Sequence, residues 1–169
     1  MDRTDDIPPG WDERTTLTTM LDYARDTMRV KCGGLSDEDA RAAPLATSPL
    51  LSIAGLVSHA RWVENDWFDR VFLGGEDLGP WTSGEPDREF TVALDVPLSQ
   101  LLEEYAADAA RHREMVTRID LDTRAVRIHG GIGEAVTLRW ILLHLIEETA
   151  RHNGHVDILR ELADGVTGT

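Results

Sequence analysis

Between Asp12 and Cys32, apolar side chains recur at Leu17, Met20, Leu21, Ala24 and Met28. Spacings of three and four predict an amphipathic helix, ended by Gly33 and Gly34. The same period predicts a second long helix over about 52–73, with Ile53, Leu56, Val57, Ala60, Val63, Trp67 and Val71 inward, and with Gly74 and Gly75 as its stop. A third follows Pro97 and turns Leu98, Leu101, Leu102, Tyr105, Ala109, His112, Met115, Val116 and Ile119 toward the interior. Thr137 is placed to cap a fourth, running to about Ala163 ahead of a tail with Gly165 and Gly168.

The connections carry weaker signals. Ser36 followed by Asp37, Glu38 and Asp39 predicts a short capped helical turn, closed by the stretch from Pro44 to Pro49. Residues 76–95 show no sustained period and read as a long surface loop that bears Trp81 and Phe90 and shapes a pocket. Residues 125–133 predict a turn with at most two short strand-like pieces. Four long helices with little strand predict an all-α four-helix bundle, expected as one domain over residues 10–165.

A chain of 169 residues is long enough for one sizeable core, and 41% hydrophobic with 28% charged residues excludes a disordered or collagen-like polymer. The 17 basic against 31 acidic residues give a net charge of -14, which repels polyanions and argues against nucleic-acid binding. No apolar run approaches the length of a membrane span, and Met1-Asp2-Arg3-Thr4-Asp5-Asp6 is acidic where a signal peptide begins basic. A cytoplasmic protein without a membrane partner is expected. The lone Cys32 permits no internal disulfide and has no base near it in sequence, so it reads as a packing thiol. Any metal would need His and carboxylate ligands. The five Trp, namely Trp11, Trp62, Trp67, Trp81 and Trp140, read as mostly core or pocket wall.

Those ligand types gather on the last predicted helix. At about 100° per residue, His144, Glu148, His152 and His155 fall within roughly 80° of arc, on or beside the apolar face of Ile141, Leu145, Val156 and Leu159. A carboxylate facing inward is costly unless paired or metal-bound, and Glu148 and His152, one turn apart, can reach a single ion. The same spacing also suits an ordinary i to i+4 hydrogen bond. His59 on the second helix lies on the side of Leu56, Val63 and Trp67, where a core histidine is the usual occupant. An inward His on one helix and an inward Glu-x-x-x-His on another together favour a bundle-borne metal site. Two His and one carboxylate leave coordination positions open, as a catalytic ion requires; Zn²⁺ is the first choice, with Ni²⁺, Fe²⁺ and Mn²⁺ compatible. His144 and His155 are read as groups that steady the ligands, line the pocket or sit at the core edge. Arg151 is read as a surface ion pair or a hold for an anionic substrate. His112 and His129, without partner spacing, are read as solvated, and Gly130-Gly131-Ile132-Gly133 as a turn without the context of a phosphate loop.

The runs Leu50-Leu51-Ser52-Ile53-Ala54-Gly55-Leu56-Val57-Ser58-His59 and Leu138 to His155, in that order, resemble the DinB superfamily and within it the DUF664 and mycothiol-transferase-like branch. The resemblance implies a four-helix bundle, often dimeric, with a divalent metal held by three side chains. It assigns His59, Glu148 and His152 as ligands, similar to the His, Glu, His set of mycothiol-dependent maleylpyruvate isomerases. The chain ends at Thr169, short of those isomerases' extra C-terminal domain, so isomerisation itself is not expected. The implied activity is a metal-dependent thiol S-transferase, in which a low-molecular-weight thiol, mycothiol, attacks a small electrophile; a homodimer is implied as well. Two alternatives stand beside it. One is a non-catalytic metal- or ligand-binding stress protein, and the other a metal-assisted hydrolase with Glu147 as base, although Glu147 points about 100° away from Glu148.

Overall fold

In the computed structural model, which describes residues 3–167, four long helices form the frame. Met1, Asp2 and the predicted tail glycine Gly168 lie outside the described residues. Helix α1 spans Glu13–Lys31, with Asp12 accepting from the Thr15 amide at 3.0 Å as its N-cap. The short α2, Asp37–Arg41, is capped by Ser36 at the Asp39 amide. Helix α3 spans Ile53–Asn65 and starts at Ser52, whose hydroxyl accepts from the Gly55 amide at 3.1 Å. A side chain on Gly55 would put Cβ 2.9 Å from that same hydroxyl oxygen, so the cap depends on glycine here. Helix α4 is Arg88–Thr91, α5 is Leu98–Arg118 and α6 is Leu138–Asp164. Thr137 caps α6, and Gly165, at φ 77°, ends it.

Two parts of the sequence reading need correction. The second long helix is not α-helical throughout: beyond Asn65 it widens into a π-helical segment, Asp66–Phe72, closed by the Leu73 amide donating to the Phe68 carbonyl at 3.0 Å. Hydrophobic spacing does not separate the two, because Trp67, Phe68, Val71 and Phe72 face inward either way, and all four are buried. The stretch 76–95 is not a loop from end to end. Its second half folds into α4 and a 3₁₀ turn, Val92–Leu94, and Ala93 is buried; two elements this short carry no readable period. Between α5 and α6 the strand-like signal reduces to an isolated antiparallel bridge, Arg124 with Thr137. Trp11 is no part of core or pocket, being 81% exposed.

Helix α1 packs along α6, α3 along α5, and α3 also meets α6 and α4. The buried apolar residues form two clusters. One holds Leu17, Leu21, Phe68, Phe72, Val116, Ile141 and Leu142. The other holds Met28, Ile53, Leu56, Val57, Leu101, Tyr105, Val156 and Leu159. Helices α1 and α6 run from the first cluster to the second, and α3 and α5 run back. Between the clusters lies a polar layer in which Arg25 grips Glu64 bidentately, at 2.9 and 2.6 Å, and the Tyr105 hydroxyl donates to Glu64 at 2.7 Å. His112 belongs to this layer and is not solvated as the sequence suggested. It is 1% exposed, with Nε2 3.4 Å from Asp69 and Nδ1 3.5 Å from Glu64, a charge contact more than a hydrogen bond.

Candidate metal centre

His59 sits two turns into α3, on the side that meets α6. Glu148 and His152 lie one turn apart on α6, so the contact between two helices brings together side chains 89 residues apart in sequence. His59 Nε2 lies 3.4 Å and His152 Nε2 3.0 Å from the same oxygen, Glu148 Oε1. One ligand atom from each of the three falls within 4.8 Å of the others, and all three side chains are half-buried. The two imidazole rings meet edge to face at 4.8 Å.

Each ring also has an outer partner. His59 Nδ1 donates to Glu89 Oε1 at 2.9 Å, and Phe90 stacks on the His59 ring at 4.6 Å and 15°. His152 Nδ1 lies 3.3 Å from His155 Nδ1. Both Nδ1 atoms are thereby engaged on the outer side while both Nε2 atoms point at Glu148. Two imidazole nitrogens and a carboxylate oxygen, converging with their far sides occupied, fit a divalent ion such as Zn²⁺ with positions left over.

The electrostatics follow from the same contacts. Burial alone would lower the His59 pKa, but hydrogen bonds to Glu148 and Glu89, and their charges, outweigh it and raise it to about 9. Hydrogen bonds from His152 and His59 hold the Glu148 carboxyl well below its ordinary range, against the effect of burial. Arg151 approaches Glu148 Oε2 at 3.5 Å and pairs with Glu147, so it acts as an ion-pair partner on the rim.

The remaining candidates lie elsewhere. His144, one turn before Glu148, does not join the cluster: it stacks on Trp140 at 5.0 Å and meets the edge of Trp67 at 4.9 Å, and burial lowers its pKa. His129, also read as solvated, is 34% exposed and stacks on Trp67 at 4.5 Å. Cys32 is buried at 3% exposure, with its thiol pushed up to about 12 by burial. A cleft of about 300 Å³ is lined by Val63, Asp66, Trp67, Arg70, Trp81, Glu89 and His129. Glu89 thus belongs both to this cleft and to the support of His59.

Sequence reasoning missed Glu89 and the Arg25–Glu64 pair. No period marks Glu89. The pair did leave a trace: Arg25 falls in the stripe of Leu21 and Met28, and Glu64 in that of Ala60 and Phe68, so two inward positions carry opposite charges.

An all-helical bundle presenting two imidazoles and a carboxylate across one helix contact defines a DinB-like bundle with a candidate metal centre. The chain belongs to the mycothiol-S-transferase family, which matches residues 16–165. A solved structure described as a conserved protein from Enterococcus faecalis has the same fold, with a TM-score of 0.66 at 16% identity over 93% of this chain and 100% of that one. No curated protein is similar enough in sequence to match.

Proposed function

We propose that the protein is a divalent-metal-dependent S-transferase that activates a low-molecular-weight thiol, mycothiol by its family, for attack on a small electrophile. The observation that carries this reading is the convergence of one donor atom each from His59, Glu148 and His152 within 4.8 Å of one another. In it these three residues hold the ion, Zn²⁺ by preference, since mixed nitrogen and oxygen donors suit it; Ni²⁺, Fe²⁺ and Mn²⁺ fit the same donors. The ion would lower the pKa of a bound thiol and so supply the thiolate. Glu148 offsets part of the cation's charge and fixes both imidazoles around one point. Glu89, which supports His59, also lines the adjoining cleft together with Trp67 and Trp81, a place where an electrophile can lie. The family resemblance extends the reading to a homodimer in the cytoplasm.

A hydrolase would need a free base, and Glu147 is exposed and paired with Arg151. The test is metal analysis of the purified protein together with conjugation of mycothiol to a reactive electrophile, in the wild type and in Glu148→Gln and His152→Ala. Stoichiometric metal with thiol-dependent turnover, both lost in the variants, is the expected result. Metal without turnover would favour a binding protein, and turnover without added thiol a hydrolase.

A further inference from the structure

The donor groups of the centre come from α3 and α6, yet a third element reaches it. Helix α4 lies on α3 and brings two consecutive residues to His59 from outside: the Glu89 carboxylate at Nδ1 and the Phe90 ring on the imidazole face. Glu89 stands on the opposite side of the His59 ring from Glu148, so it is not a fourth ligand; the group of mutually close donor atoms contains His59, Glu148 and His152 without it. A carboxylate oxygen can only accept, so the contact places a proton on Nδ1 and makes Nε2, which faces Glu148, the nitrogen that coordinates once its own proton is displaced. The ring has two ways to turn out of line, about its side-chain torsions and by flipping its nitrogens. The 2.9 Å hydrogen bond opposes the flip and the stacked Phe90 opposes the rotation.

We propose that Glu89 is a positioning residue for the metal centre: through His59 Nδ1 it fixes the tautomer and aim of this ligand and ties the centre's affinity to the seating of α4. The proposal rests on the reading of His59, Glu148 and His152 as metal ligands. His155 stands in the matching place beside His152, but its partner atom is another imidazole nitrogen at 3.3 Å, which lacks the carboxylate's charge. Glu89 is therefore the stronger of the two supports. It is also the one that faces the cleft, so a molecule lying against Trp67 and Trp81 meets the carboxylate that holds the ligand.

The experiment measures Zn²⁺ affinity by chelator competition, and the Co²⁺ absorption spectrum, in the wild type, Glu89→Ala, Glu89→Gln, His155→Ala and His59→Ala. Removing a carboxylate that orients a ligating histidine typically lowers affinity about 10- to 100-fold. Glu89→Ala is expected to weaken Zn²⁺ in that range and to alter the Co²⁺ bands while keeping one ion per chain at saturation. Glu89→Gln, whose amide oxygen still accepts from Nδ1, should recover most of the affinity, which a merely structural role for α4 would not explain. His155→Ala should lose less than Glu89→Ala. Wild-type affinity and spectrum in Glu89→Ala, with binding abolished in His59→Ala, would overturn the positioning role alone. A wild type that takes up no ion would overturn the underlying reading with it. Should Glu89→Ala fail to fold, the comparison of Glu89→Gln with Glu89→Asp, whose shorter side chain withdraws the oxygen, decides the same question: equal affinity in both would overturn the proposal.

Discussion

The His59 imidazole, held between two carboxylates with its pKa near 9, carries a second proton at neutral pH when no cation competes for it. That proton sits on Nε2, the nitrogen a metal needs, so binding must displace it. The sign follows: acidification favours the proton and alkalinisation the ion. Apparent Zn²⁺ affinity should rise by about tenfold per pH unit between 7 and 9 and flatten above, one proton being released per ion bound. Chelator competition at three pH values checks this, and a pH-independent affinity over that range would contradict the assignment. Glu148 adds no such dependence there, because its histidine partners keep it ionised far below neutral pH.

Among the elements, the polar layer between the two apolar clusters joins α1, α3 and α5 through Arg25, Glu64, Tyr105 and His112. Arg25 is 7% exposed and Glu64 1%, so deleting either strands the other charge in the interior. Arg25→Ala should cost about 3–5 kcal/mol in urea unfolding, whereas Leu replacements of both partners together should cost less than the single change. Burial alone would raise the Glu64 pKa, but the Arg25 charge, with His112 and Tyr105, holds it at about 2. Its stabilising contribution is therefore present above 4.5, the ordinary value, and lost as pH falls toward 2. Burial alone would lower the His112 pKa, and Asp69 and Glu64 raise it instead. Its contribution is complete below 6.5 and lost as pH climbs through the raised value. These two groups favour maximal stability between those limits, which denaturation at a series of pH values would reveal. The sequence made the four long helices and the caps at Ser36 and Thr137 legible, because periodicity and capping are local. It hid α4 and the partners of His112, because a carboxylate reaching a histidine across the bundle is a fact of tertiary packing; with no period in residues 76–95, Glu89 carried no signal at all. His59, Glu148 and His152 could be singled out because each lies on or beside an apolar stripe where a polar side chain is conspicuous.

For the molecule as a whole, the proposed centre acts as a clasp: its donors come from α3 and α6, and the unfolded chain has no such arrangement. A ligand that binds only the folded state at a hundred times its Kd stabilises by about 2.7 kcal/mol. For a domain of this size that corresponds to a rise in melting temperature of roughly 5–10 °C. Calorimetry with Zn²⁺ should register the rise in the wild type and lose it in Glu148→Gln. No helix among the described residues is long and apolar enough to cross a membrane. The bundle also settles the fate of the chain's one thiol. Cys32, the C-cap residue of α1, lies in the second cluster, 3% exposed and with its thiol pushed up to about 12 by burial. Electrophiles of the kind proposed as its substrate seek out thiolates, and at neutral pH Cys32 offers them none. Alkylation of this thiol by such reagents is opposed by the same packing that holds the helices together.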